Sequence, residues 1–252
     1  MSDESDAIMV AGASRTLRLP GVGANFAELV MAAQRDNWSH LHFLAELLGI
    51  ELDLRDVRRA QRLLREAKIP RSKLLSGFDL DASALTRETL DFLLRGDFAE
   101  SATSIILIGG PGTGKSHLLI GTLISLVSLG KRVRYVNAAA LVNELAEAED
   151  ERRLSRVIER YRRLDALGID ELGYLHLDRR GAELLFQVIT EREEASSLLV
   201  ATNLPFGEWT GIFSDTRLAA AVVDRITFNA KIIETGSDSY RLRSAIAQKR
   251  SK

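Results

Sequence analysis

Residues 109–116 read Gly-Gly-Pro-Gly-Thr-Gly-Lys-Ser, with the apolar run "SIILI" before them and "HLLIGTLISLV" after. Average residue usage produces this G-x-x-x-x-G-K-[ST] pattern by chance in about one chain in a hundred of this length. Its flanks make it more specific still. A buried strand delivers the loop, the glycines let backbone N–H groups curl around phosphate oxygens, and the next helix points its positive end into the same place. Gly109, Gly110, Pro111, Gly112, Thr113 and Gly114 form the cradle, Lys115 is placed to bridge the β- and γ-phosphates, and the Ser116 hydroxyl is placed to ligate Mg²⁺. His117 follows directly. A ligand-free turn would explain the glycines but not the adjacent Lys-Ser.

The loop lies in the second of two regions with different patterns. In the first, "NFAELVMAAQ", "SHLHFLAELLGI" and "DLRDVRRAQRLLREAK" carry apolar residues at helical spacing, with Gly49 as a break and Pro70 beyond the last segment. This predicts about three helices after ten small, acidic, mobile residues. On the third helix Val57, Ala60, Leu64 and Ala67 share one face, and Arg55, Arg58, Arg59, Arg62 and Arg65 the opposite one. Residues 71–85 read as a linker, and "TRETLDFLLRG" as a helix capped by Thr86 and stopped by Gly96. From there "SIILI", "RVRYVNA", "LDALGID", "SSLLVATN" and "KIIETG" alternate with helical segments, the pattern of an α/β fold with a parallel sheet covered on both faces. The expected division is a helical domain over 1–70, a linker over 71–85 and an α/β core over 86–252.

With 252 residues and 46% apolar side chains the chain can bury such a core. It has no cysteine and four scattered histidines, which excludes disulfides, iron–sulfur clusters and thiolate zinc sites. Neither a secretion signal nor an apolar run of the ~20 residues needed to cross a bilayer is visible, so a cytoplasmic protein without a membrane partner is expected. A net charge of −1 leaves nucleic-acid binding to local concentrations of positive charge. One is the arginine stripe from Arg55 to Arg65. The other is "ERRLSRVIERYRR", with Arg152, Arg153, Arg156, Arg160, Arg162 and Arg163. Arginines along a helix suit phosphates because the guanidinium fork can bond two oxygens. Solvated faces laced with pairs such as Asp56–Arg59 or Glu159–Arg163 would look the same.

A phosphate loop needs an acid for its metal, and "LGIDELGY" offers two. Asp170 fits the Mg²⁺ role, and Glu171 would face the γ-phosphate and polarise a water. The alternative is an acidic helix-capping pair. Asp165 and Gly168 interrupt the apolar run and make it a poor strand. "SLLVATN" ends on Asn203, whose amide could bond both water and γ-phosphate at the carboxyl edge of such a sheet, or could simply form the turn before Pro205.

Taken together, "AKIP", "GGPGTGKSHL", "DELGYLHLDRRGAELLFQVITER", "TNLPFGEW", "VVDRI" and "SYRLR" resemble the IstB-type transposition helper ATPases, AAA+ proteins related to the DnaC helicase loader. The resemblance runs from about Leu17 to Arg243. It implies an AAA+ core with a much reduced lid, because few residues follow "KIIETG". It implies ATP and Mg²⁺ as cofactors, Asp170 and Glu171 in the Walker B role and Asn203 as sensor 1. It also implies that Arg225 is an arginine finger reaching a neighbouring subunit, and that Arg241 is the sensor-2 arginine contacting the γ-phosphate of its own subunit. From the residues alone both arginines would read as surface salt-bridge partners.

The chain departs from the family where "TEREEASSL", with Glu191, Glu193 and Glu194, replaces a basic, aromatic segment, and where His176 replaces a proline. The function implied is an ATPase that forms a homo-oligomer on duplex DNA, remodels it and recruits or activates a cognate transposase. The nearest rival is a DnaC-like helicase loader. A small-molecule kinase would need an acceptor pocket that is not visible, and a non-hydrolysing scaffold would not need Glu171.

Overall fold

The computed structural model describes residues 3–193, 195–213, 215–237 and 239–240. The chain divides into two compact units, Met1–Arg62 and Leu63–Lys252.

The first unit is built from helices α1 (Asp3–Thr16), α2 (Pro20–Arg35) and most of α3 (His40–Glu66). The acidic start of the chain is helical rather than mobile: Asp3, Glu4 and Asp6 sit in the first turn of α1 and Arg15 in its last, which suits the helix dipole at both ends. Gly49 does not break the chain into two helices, since α3 runs through it. A mid-helix glycine costs only about 1 kcal/mol, and the inward packing of Leu47 and Glu51 on either side offsets it.

The inward residues of α3 differ in part from the apolar face read in the sequence: Leu47, Glu51 and Leu63 are buried, as is Ala67 just beyond the helix. Helix α2 begins with Pro20, and Leu19 before it supplies no side-chain cap. Glu51 does that work from another helix: its Oε2 accepts the amides of Gly21 (2.6 Å) and Val22 (3.3 Å), and its Oε1 accepts Arg55 Nε at 2.9 Å. Gly21 allows the approach, because a Cβ there would stand 2.9 Å from Oε2. A carboxylate therefore takes an inward position, and of the apolar face read in the sequence Ala67 is buried and Ala60 half-buried, while Val57 and Leu64 are 53% and 44% exposed.

Burial raises the Glu51 pKa, but the bonds from Arg55, Gly21 and Val22 outweigh it and the net shift is downward. A folded-state pKa below the unfolded one contributes stability at neutral pH that is lost as pH falls through the folded-state value. Acid titration followed by circular dichroism should thus show the helical unit of Glu51→Gln less stable at pH 7, with a shallower loss of stability on acidification than wild type. Equal slopes would show that Glu51 does not act through its charge.

The second unit holds α4 (Arg87–Arg95), β1 (Ser104–Ile108), α5 (Lys115–Ser128), β2 (Val133–Asn137), α6 (Ala138–Asp150), α7 (Leu154–Arg162), β3 (Ala166–Asp170), α8 (Arg179–Thr190), β4 (Ser197–Thr202), α9 (Thr216–Thr227) and β5 (Ala230–Glu234). The Thr86 side chain caps α4 by accepting the Thr89 amide, and Gly96 ends it in the left-handed conformation. All five apolar runs are strands, every pair parallel, in the order β2-β3-β4-β1-β5.

Alternate strand residues feed two cores. Ile105, Leu107, Leu199, Ala201 and Ile233 pack with α4, α5 and the end of α3, whereas Ile106, Leu167, Ile169, Leu198 and Val200 pack with α6 to α9. Strand β3 is buried throughout despite the two residues that weaken its pattern. Asp165 lies just before it and anchors the neighbouring strand, its carboxylate accepting the Arg132 amide at 2.6 Å. Gly168 faces α5, where a Cβ would stand 2.6 Å from Leu123 Cδ1 and 3.2 Å from Leu119 Cδ1, so the glycine is what lets the helix lie close.

Candidate active site

The loop leaves β1 at the carboxyl edge of the sheet and leads straight into α5. Gly112 and Gly114 take φ of 78° and 98°, which a side chain would resist. At Gly114 a Cβ would also stand 2.7 Å from the Phe78 ring. The chain after β5 braces the loop from the other side. Gly110 N donates to Gly236 O (2.9 Å), Tyr240 N donates to Gly112 O (3.1 Å), and the Thr113 and Thr235 hydroxyls bond at 2.6 Å. Lys115 Nζ donates to the carbonyls of Gly109 and Gly110 at 2.7 and 2.6 Å. A phosphate offered to this loop would compete for that ammonium as the stronger, charged acceptor.

Ser116 and Asp170 come together as the spacing required, Ser116 Oγ donating to Asp170 Oδ1 at 3.2 Å. Asp170 is buried at the end of β3. Its Oδ1 also accepts the Glu171 amide (2.9 Å), and its Oδ2 accepts the Tyr135 hydroxyl (3.0 Å). Burial and the neighbouring carboxylate push the Tyr135 pKa up, which keeps that hydroxyl a donor.

Glu171 has φ of 62° and turns its side chain to Asn137, whose Nδ2 donates to Oε2 while its Oδ1 caps α6. Asn203 follows β4, and its Oδ1 is buried without a partner in the described protein. Gly173 permits this, since a Cβ there would stand 2.1 Å from that oxygen. Among the described residues no three His, Cys, Asp or Glu side chains converge as a metal site. Two oxygens, from Ser116 and Asp170, suit an ion such as Mg²⁺ that keeps waters and takes its other ligands from phosphate.

Beside the loop is a cavity of about 310 Å³, walled by Phe78, Asp79, Ser83, Lys115, His117 and Tyr240. Phe78 and His117 meet edge to face at 5.4 Å, and His117 Nε2 donates to Leu74 O at 2.8 Å. A hollow with aromatic walls next to a phosphate loop has the size and lining that planar ring systems occupy. Phe78, Asp79 and Ser83 belong to no motif, and Tyr240 lies within "SYRLR". Lys115 belongs to the phosphate-loop pattern, and His117 follows it directly.

Arg225 stands elsewhere. It ends α9, its Nη1 pairs with Glu193 Oε2, and its guanidinium lies over the Phe186 ring at 4.9 Å. It shares a small hollow with Ser104 and Asn229, at the amino edge of β1 and β5. The phosphate loop begins at the opposite end of β1, about 15 Å away for a five-residue strand. Arg241 lies outside the described residues.

The arginine stripes differ in how they are engaged. On α3 all five arginines are exposed, and Arg55 is bound to Glu51 and to Arg18 O. On α7, Val157, Ile158 and Tyr161 face inward and the arginines outward. Arg153, Arg156, Arg160 and Arg163 with Arg132 line an open hollow of about 710 Å³. Arg153, Arg160 and Arg163 carry ion pairs to Glu151, Glu144 and Glu159, and Arg152 turns the chain between α6 and α7 with φ of 56°. The acidic segment that departs from the family pattern hides a positive charge: Arg192 is buried and donates to the carbonyls of Tyr161, Leu164 and Ser197. Burial lowers its pKa to about 10.

A five-stranded parallel sheet with this strand order, a phosphate loop after β1 and an acid pair at the end of β3 defines a P-loop nucleotide-binding protein of the AAA+ type, preceded by N-terminal helices. The family model for IstB-like ATP binding proteins matches residues 12–248, and the chain belongs to that family. It is 35% identical over 236 residues to an insertion-sequence ATP-binding protein of Sinorhizobium fredii, covering 93% of this chain and 79% of that protein. It is 33% identical to one from Geobacillus stearothermophilus, covering 90% and 91%.

Among solved structures it is similar to the DnaC helicase loader, with a TM-score of 0.55 and 20% identity over 65% of this chain and 96% of that one. AMPPCP-bound DnaA from Aquifex aeolicus gives 0.56 and 19%, over 73% of this chain and 56% of that one. At such identities the likeness is one of fold. No helix among the described residues is long and apolar enough to cross a membrane.

Proposed function

We propose that this chain is a Mg²⁺-dependent ATPase that assembles with copies of itself on duplex DNA, remodels the duplex and recruits or activates a transposase. The observation that carries the reading is the approach of Ser116 to Asp170 beside Lys115, with Glu171 next in sequence. Mg²⁺, when bound, would neutralise phosphate charge. Ser116 and Asp170 would hold it, Lys115 and the loop amides would bind the phosphates, and Asn203 and Glu171 would orient and deprotonate a water. The insertion-sequence relatives support the transposition context. The ATP-dependent oligomer on duplex DNA comes from the family resemblance.

For the duplex contacts the hollow on α7 offers five arginine side chains facing one open space, a fit to a phosphate backbone. The α3 stripe remains the second candidate. Charge reversal of Arg156 and Arg160 should weaken binding to all duplex sequences alike and flatten its salt dependence by about one unit of slope per phosphate no longer neutralised. An unchanged slope would move the duplex to Arg58 and Arg62.

The whole reading is tested by ATP turnover with and without duplex DNA, combined with capture by transposase or by a replicative helicase. DNA-stimulated turnover with transposase capture is the expected result. Capture by helicase alone would make the chain a loader, and turnover indifferent to DNA would reject both.

A further inference from the structure

Asp170 is the carboxylate on which the metal reading turns, and an aspartate on its own can rotate about its last bond. Here one oxygen, Oδ1, receives Ser116 Oγ and the Glu171 amide, and the other receives the Tyr135 hydroxyl at 3.0 Å. Tyr135 belongs to β2, where it stands in register with Gly168 of β3. In-register neighbours share a face, so Tyr135, Gly168 and Asp170 all look toward α5. From there its side chain reaches along the sheet to Asp170, two positions on from its register partner. Its backbone is fixed too, because Tyr135 N donates to Ala67 O at 2.8 Å and ties the open edge of β2 to the end of α3. The hydroxyl therefore meets Oδ2 from an anchored strand.

We infer that Tyr135 is a positioning residue for the metal carboxylate. By occupying Oδ2 it fixes the carboxylate plane and leaves Oδ1 facing the Ser116 hydroxyl, where the two oxygens can share one Mg²⁺. The inference rests on the proposal that Asp170 holds Mg²⁺. Partners that orient a ligand in this way are typically worth 10–100-fold in metal affinity. In the sequence Tyr135 reads only as a strand residue, because the link depends on register between two strands whose pairing residues are 33 positions apart.

The test is binding of a fluorescent ATP analogue, titrated with Mg²⁺, to the full chain and to Tyr135→Phe, Asp170→Asn and the double variant. Tyr135→Phe keeps the ring and should bind the analogue in EDTA as wild type does, while the Mg²⁺ concentration for half-maximal enhancement rises about tenfold. In the Asp170→Asn background the same substitution should change nothing further. If Tyr135→Phe follows the wild-type Mg²⁺ curve while Asp170→Asn is shifted, the positioning role is wrong and the Asp170 assignment stands. If Asp170→Asn is itself unshifted, the metal assignment fails and takes the inference with it. Equal loss of affinity with and without Mg²⁺ in Tyr135→Phe would assign the tyrosine to packing and overturn the inference.

Discussion

Subunits carrying Arg225→Ala and subunits carrying Glu171→Gln, each inactive alone, should hydrolyse ATP when mixed. Arg225 sits at the amino edge of the sheet, about the length of β1 from its own phosphate loop. An arginine side chain cannot bridge that distance, so any action on a γ-phosphate must be on a neighbour's. Such a finger is typically worth about 10³ or more in rate. Arg225→Ala should therefore bind ATP almost as wild type does and fail to turn it over, while Glu171→Gln keeps its finger and loses the base. At an interface between unlike variants, one orientation sets an intact finger against an intact site. Steady-state turnover across mixing ratios reads the result. A mixture that stays inactive while native gels show mixed oligomers would remove Arg225 from catalysis and leave it as the ion-pair partner of Glu193.

Lys115→Ala should abolish nucleotide binding. Its ammonium holds the carbonyls of Gly109 and Gly110 at 2.7 and 2.6 Å and stands where β- and γ-oxygens would enter. Hydrogen bonds to charged groups contribute about 1.5–3 kcal/mol each. Removing the bonds to both phosphates at once would thus weaken binding roughly a hundredfold or more. Calorimetric titration with ATP measures this directly, and a melting curve without nucleotide checks that the loop survives without the two carbonyl bonds. Binding within a few-fold of wild type would mean that the loop amides alone carry the phosphates.

The parallel sheet was legible because its central strands β1, β3 and β4 are buried on both faces and each strand reads as a short apolar run, and because Thr86 and Gly96 punctuate the chain as caps do. Lys115, Ser116 and Asp170 were legible because a phosphate loop allows few residue types at fixed spacing. Where a charged residue works inside the protein the pattern misleads. Glu51 on α3 caps a different helix, and Arg192 at the end of α8 ties together three carbonyls, yet both look like solvent-facing charges in a one-dimensional reading. Tyr135 and Phe78 were invisible for another reason: each acquires its partner through strand register or chain crossing, which no local spacing encodes.

The stretch before α4 has a further consequence. Leu75 is buried against α5, Gly121 is bare because a Cβ there would stand 2.8 Å from Leu75 and 2.9 Å from Lys73 O, and Ala67 closes the edge of β2. A truncated chain beginning at Arg87 would still contain every motif from Gly109 to Arg225. It would also have stripped one wall from the cavity beside the phosphate loop, uncovered the outer side of α5 and opened a sheet edge to other strands, a combination that favours aggregation. The compact unit that holds the phosphate loop begins at Leu63, inside α3, so a cut at that boundary would fall within a helix rather than in a loop.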